Sequence, residues 1–178
     1  MTYTLTAAPI THMNPLDVHA LYKLRVDVFV YEQQCPYAEI DDTDALDSTV
    51  HILAFDDDTR GIVGTARVFP STLDGEEVAQ FGRFALDKQA RGTGLGKQVM
   101  EAALQYAAVA MSGQPVYLEA QAPLVDYYSA YGFEVCGELF DDEGIPHQRG
   151  VIGATRLNFT RLNHGPVRSA TNVGYTVN

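Results

Sequence analysis

A chain of 178 residues with 46% hydrophobic content can bury one full core, which excludes a disordered or fibrous polymer. Twelve Lys and Arg against 23 Asp and Glu leave a formal net charge of -11; the cations are scattered, so nucleic acid and anionic membrane are excluded as partners. No window approaches 18 consecutive apolar residues, MTYTLTAAPITHMNPLD has no basic n-region, and there are only two cysteines, Cys35 and Cys136, so the expectation is a cytoplasmic protein with reduced thiols.

Asn14, Pro15 and Asp17 form a helix start: a capping side chain, proline at the first helical position and an acid in the first turn. Leu16, Ala20, Leu21, Leu24 and Val28 follow at helical spacing, and the helix is expected to end near Val30. Residues 32–47, EQQCPYAEIDDTDALD, are polar and read as a long loop. VHILAFD (50–56) and IVGTARVF (62–69) read as a hairpin around DDTRG. PSTLDGEEV reads as another loop, and AQFGRFALD (79–87) as a third strand. From Gly94 to about Met111, Leu95, Val99, Ala103 and Tyr106 form one apolar stripe, widened by Met100, Leu104, Ala107 and Met111, as suits a helix packed on a sheet. VYLEAQ (116–121) is a fourth strand, and PLVDYYSAYG (123–132) a short helix closed by Gly132. FEVCGEL (133–139) and HQRGVIGATRL (147–157) are further strands around DDEGIP. Residues 1–178 are expected to form a single domain, its core at about 14–157, with an additional tail over 158–178. The order is α+β with a mixed sheet, without the strict alternation of a doubly wound fold.

ARGTGLGKQVMEAAL places Gly92, Gly94 and Gly96 at the mouth of the long helix. Glycine opens a helix poorly, at roughly 1 kcal/mol per residue relative to alanine. Unpaired N–H groups and partial positive charge at a helix start make an anion site, and alternate glycines let successive amides turn toward one phosphate. The Walker pattern fails, because Arg91 and Gln98 stand where glycine and Ser/Thr are required. The dinucleotide fingerprint fails on its spacing.

Gln89-x-x-Gly92-x-Gly94, after a strand and before a helix, resembles the pyrophosphate-binding signature of the Gcn5-related N-acetyltransferases, the GNAT superfamily. DYYSAYGFEV resembles the late segment of that superfamily. RVDVFVYEQQCPYAEIDDTD, GRFALDKQARGTGLG, LEAQAPLVDYYSAYGF and DDEGIPH together resemble its ElaA-like branch over about residues 16–153, with Glu119 a departure from that pattern. The resemblance implies the GNAT acyl-CoA N-acyltransferase fold: a twisted, mostly antiparallel sheet flanked by helices and splayed between two parallel strands. It implies acetyl-CoA as cosubstrate in that gap and no metal. The backbone of Phe84, Ala85 and Leu86 would pair with the pantetheine arm. The amides of Arg91, Gly92, Thr93, Gly94, Leu95 and Gly96 would hold the pyrophosphate, with Lys97 or Arg91 adding charge. Gln121 stands where the superfamily often has an asparagine on the pantetheine arm. Homodimers are common in the family, and the tail is the segment to be traded between subunits.

The implied chemistry is attack of a neutral amine on a thioester. Tyr128 is the candidate acid for the leaving thiolate, since a phenol near pKa 10 keeps its proton at neutral pH; the alternative is that Tyr127, Tyr128 and Tyr131 only pack. Freeing an alkylammonium at pH 7 costs roughly 4–5 kcal/mol. Glu32, Glu119, Glu143 and His147 are candidate bases, with His147 the first to test. DTDALD and DDDTRG lack the rest of a calcium loop, and the histidines have no zinc spacing with the cysteines. Two other functions stay open. One is an acyl-CoA-binding sensor without turnover. The other is transfer from another acyl-CoA, as in the related fold of acyl-homoserine-lactone synthases. The acidic composition and the carboxylates of 32–47 lean toward a cationic amine acceptor.

Overall fold

A computed structural model describes residues 2–35, 37–156 and 168–169. The strands are β1 (Tyr3–Ala8), β2 (Val50–Asp56), β3 (Ile62–Leu73), β4 (Glu76–Leu86), β5 (Val116–Gln121), β6 (Glu134–Asp142), β7 (Ile145–Ile152) and β8 (Arg168–Ser169). The α-helices are α1 (Pro15–Arg25), α2 (Leu95–Ala110) and α3 (Val125–Ser129). The strands form one sheet in the order β6-β7-β5-β4-β3-β2-β1-β8. All neighbours run antiparallel except β4 with β5 and the short β8 with β1.

Asn14 caps α1 as its residue type predicts, accepting from the amides of Leu16 and Asp17 at 3.0 Å each. The helix does not stop at Val30. It widens into a π-helical stretch over Val26–Glu32, closed by Gln33 N–H donating to the Val28 carbonyl at 2.9 Å. The wider turn carries Val28 and Phe29 inward with Leu24, against Ala85 and Ile62. β1 lies outside the expected core of about 14–157, yet it pairs with β2 from Tyr3 opposite Asp56 to Ala8 opposite His51. Its apolar signal is weak because its two fully buried side chains are Ala7 and Ala8. Residues 70–78, expected as a loop, are the two arms of the β3–β4 hairpin, which turns at Asp74 (φ 52) and Gly75 (φ 87). Asp-Gly with positive φ at both positions is a favoured two-residue hairpin turn.

Helix α2 lies across one face of the sheet. Leu95, Val99, Met100, Ala103 and Ala107 pack on Ile52, Ala66, Val68, Phe81, Val116 and Leu118, and each large apolar side chain buried there contributes about 1.5–3 kcal/mol. Helix α1 covers the other face through Leu24 and its π-helical extension over Ala85. The tail beyond 156 lies outside the described residues except for Arg168–Ser169, which run parallel to β1 of the same chain. Among the described residues no helix is long and apolar enough to cross a membrane.

The feature that makes a site is the join between β4 and β5. They pair only at Ala79–Val116, Gln80–Tyr117 and Phe81–Leu118, and then part. A β-bulge in β4 accompanies the divergence: Arg67 faces Gly82 and Thr65 faces Ala85, so Arg83 and Phe84 together oppose Ala66. Arg83 takes the left-handed conformation, φ 50. Beyond Phe81, the β5-facing edge of β4 has no strand partner along 82–86, and Arg91 caps its far end at the Leu86 carbonyl.

Candidate functional site

At one end of the gap, β4 leads through a short 3-10 turn (Lys88–Ala90) into the glycine loop and α2. Gly92 and Gly94 have φ +75 and +86, with no atom within 4 Å of an added Cβ. Their glycine requirement is therefore conformational: a side chain there is disfavoured by backbone shape. Gly96 differs. A Cβ there would meet Leu86 and the Tyr127 hydroxyl at 3.2 Å, so it is small because α2 packs closely against the strand and α3. Gly94 caps α2 without a side chain, leaving the first N–H groups of the helix open. The Thr93 hydroxyl donates to the Ala90 carbonyl at 2.7 Å and holds the loop closed on itself. Arg91 is engaged elsewhere: it donates to Glu32 Oε2 at 2.9 Å and from Nε to the Leu86 carbonyl at 3.1 Å. Lys97 lies 3.7 Å from Glu101 on the exposed face of α2. Glu32, a candidate base, is thus the counter-ion of Arg91, and its carboxyl is held below the usual range by that guanidinium.

Where the strands part, a cavity of about 310 Å³ passes through the sheet. Phe81, Phe84 and Tyr128 border it from the α2 side, and Leu124 also lines it. Gln121, His147, Glu119, Asp142 and Glu143 also line it. Strand alternation explains part of this set: Val116, Leu118 and Ala120 are buried under α2, so Tyr117, Glu119 and Gln121 point to the opposite face. Cross-strand pairing sets His147 beside Gln121 and Arg149 beside Glu119. Of the expected site residues, Tyr128, His147, Glu143, Gln121, Glu119 and Phe84 thus share one cavity, with Ala85, Leu86 and the loop 91–97 continuing from its wall.

The Tyr128 ring sits edge-on to Phe81, Tyr127 and Phe133, with centroids 6.3, 5.3 and 6.2 Å away. Burial, with a smaller contribution from Tyr131, pushes its pKa up to about 12. Tyr127 stacks on Phe84 at 6.1 Å and meets the Tyr131 hydroxyl at 3.3 Å, so packing occupies Tyr127 and Tyr131. His147 is 8% exposed. Its Nδ1–H donates to the Ile145 carbonyl at 2.8 Å, which in the neutral ring sets the lone pair on Nε2. Glu143 stands in the β6–β7 turn with φ 53, and the Gly144 amide donates to Asp141 at 2.8 Å there.

Residues 32–47 do not form a solvated acidic loop. Arg25, 0% exposed, donates from Nε to Glu39 at 2.6 Å and from Nη1 to Asp44 at 2.7 Å. Arg67 donates to Asp41 at 2.7 Å and to Asp44 at 2.8 Å. Arg83 reaches Glu39 at 3.2 Å and Asp41 at 3.3 Å. Three guanidiniums therefore neutralise Glu39, Asp41 and Asp44, while Asp42 and Asp47 stay at the exposed surface, so the buried half of this segment's acidity gives no attraction for a cationic acceptor. Burial opposes ionisation of Asp44, but Arg25 and Arg67 outweigh it and hold its pKa at about 2. For Glu39 burial wins and the pKa is raised.

His51 lies beneath this cluster, fully buried, with Nε2 3.3 Å from the Asp44 carbonyl. Burial, reinforced by Arg25 and Arg67, lowers its pKa from 6.5 to about 4. The unfolded chain therefore takes up this proton first as pH falls. Stability that is complete above about pH 6.5 is lost toward pH 4, by about 2 kcal/mol at pH 5. Urea unfolding from pH 7.5 to 5 should show this slope, and His51→Gln should remove it. The difference between the two profiles separates His51 from Glu39, whose raised pKa acts with the opposite sign. Identical profiles would mean that His51 is already hydrated in the folded chain.

The π-helical stretch and the loop after it also supply cavity residues that sequence reasoning missed. Phe29, Gln33 and Tyr37 border the cavity beside Arg67 and Arg83. The Arg83 guanidinium lies 5.5 Å from the centre of the Tyr37 ring. Cys35 is buried nearby, 3.9 Å from Gln121 Nε2.

Comparison with known proteins places this architecture. The family model described as "Acetyltransferase (GNAT) domain" matches residues 18–150. Protein ElaA of Escherichia coli is 38% identical over 130 residues, covering 73% of this chain and 83% of ElaA. The crystal structure of E. coli ElaA superposes with a TM-score of 0.76 at 31% identity, covering 84% of this chain and 99% of that one. An acyl-CoA N-acyltransferase from Pseudomonas aeruginosa superposes with a TM-score of 0.77 at 36% identity, with the same coverage. The glycine loop, the parted parallel strands and these matches agree: the chain belongs to the GNAT acetyltransferase family.

Proposed function

We propose that the protein transfers the acetyl group of acetyl-CoA to a primary amine of a small molecule or peptide by direct attack. The observation that carries this reading is the open β4 edge at 82–86, continuous with a glycine-capped helix start and facing Tyr128 across one cavity. The residues fit the cosubstrate. Backbone groups of Phe84 and Ala85 and the Leu86 amide suit an extended arm, the Leu86 carbonyl being held by Arg91. The loop from Arg91 to Gly96 offers open N–H groups to a pyrophosphate, with clear space above Gly92 and Gly94. Acetyl-CoA supplies an activated acyl thioester. Tyr128 Oη, kept protonated at neutral pH by its burial, donates its proton to the departing sulfur. His147 Nε2 receives the proton of the incoming ammonium. Glu119 is engaged by Arg149 at 3.8 Å and by the Tyr117 hydroxyl, so Asp142 and Glu143 are the cavity carboxylates that favour a cationic acceptor.

Isothermal titration tests the donor. Acetyl-CoA and free CoA should bind with micromolar affinity and NADH should not. Gly94→Glu forces a side chain into a left-handed position and sets a carboxylate where the pyrophosphate belongs, so affinity should fall by about 100-fold with the fold intact by circular dichroism. A folded wild-type protein that binds no CoA would overturn the proposal.

A further inference from the structure

Arg83 is the bulge residue of β4 and the point beyond which the donor edge opens. It is not glycine, yet within a strand it holds φ 50, a conformation that carries a steric cost for a residue with a Cβ. Its guanidinium is enclosed on the loop side. Nε reaches Glu39 Oε2 at 3.2 Å and the Glu39 carbonyl at 3.3 Å, Nη2 reaches Asp41 at 3.3 Å, and the Tyr37 ring lies at 5.5 Å. Glu39 and Asp41 cannot yield, because Arg25 and Arg67 hold them at 2.6 and 2.7 Å. The strained backbone and the buried ion cluster are thus one mechanical unit, and the side chain of Arg83 is the link.

We propose that Glu39, Asp41 and Arg83 are positioning residues: by gripping the Arg83 side chain, the loop holds the β4 bulge in its left-handed form and so presents the open β4 edge to the acyl donor. This rests on the donor assignment above. The grip also joins the two walls of the cavity, since Tyr37 of the same loop lines it opposite Tyr128.

Two substitutions at one position separate grip from contact. Arg83→Ala removes the grip and keeps the Cβ, so the bulge relaxes; the Kd and KM for acetyl-CoA should rise by about tenfold with kcat little changed. Arg83→Gly also removes the grip, but glycine adopts φ 50 without cost, so donor affinity should return to within about twofold of wild type. Asp41→Asn weakens the grip and should fall between wild type and Arg83→Ala. Equal damage in Arg83→Ala and Arg83→Gly would overturn the proposal and make the guanidinium itself a ligand contact. Wild-type affinity in Arg83→Ala would overturn it as well. If the wild-type protein binds no CoA, the donor assignment fails instead, and a crystal structure of Arg83→Ala then reads the grip directly: β4 should lose its bulge, and an unchanged φ at position 83 would overturn the proposal.

Discussion

Replacing Arg25 by methionine lowers the unfolding free energy by about 3–5 kcal/mol, the range for breaking a buried ion pair from one side. Methionine roughly fills the volume but takes one guanidinium from each of Glu39 and Asp44, whose side chains are 2% and 1% exposed, and leaves each with a single remaining arginine, Arg83 and Arg67 respectively. A whole domain is stable by only about 5–15 kcal/mol, so the urea midpoint should fall sharply or the chain should lose its cooperative transition. The charge is the cause rather than the cavity, so adding Glu39→Gln to Arg25→Met should recover part of the loss. A loss below about 1 kcal/mol would mean that water reaches these carboxylates.

Tyr128→Phe is expected to reduce kcat by about 10²–10³ at unchanged donor Kd, the usual worth of a positioned acid. The ring contacts to Phe81, Tyr127 and Phe133 survive the change, so thermal stability should hardly move. With its pKa at about 12, the hydroxyl does not titrate in the working range. The defect should therefore be the same from pH 6 to 9, measured with an acceptor found by screening amines. An unchanged kcat would make Tyr128 a packing residue and move the acid elsewhere.

Local chemistry made much of the site readable. Gly92 and Gly94 announce left-handed backbone, Asn14 announces a cap, and the stripe from Leu95 to Ala107 announces a helix on a sheet. These signals lie within a few residues of what they cause. The ion cluster does not. Arg25 meets Glu39 and Asp44, and Arg67 meets Asp41, over separations that no periodicity reports. Each charge taken singly looks solvated, which is why the polar residues of the 32–47 loop gave no sign of burial. The bulge was hidden for another reason: arginine at position 83 gives no hint of positive φ, because the tertiary grip replaces intrinsic preference. β1 was missed because two alanines and half-exposed neighbours carry little apolar contrast.

The three residue pairs that join β4 to β5 have a consequence for how such a protein diversifies. On one side lie β1 to β4 with α2 and its glycine loop; on the other lie β5, β6, β7 and the turn bearing Glu143. Among the described residues the β6–β7 hairpin joins the sheet through β5 alone, so its outward side chains lie apart from β1 to β4, and substitutions at distant, unshared sites combine almost additively. The β6–β7 hairpin is therefore a cassette: mutation or transplantation there can retune one reactant's pocket while leaving the other's intact. Chimeras that exchange residues 134–152 between relatives should recombine their two specificities with little interference.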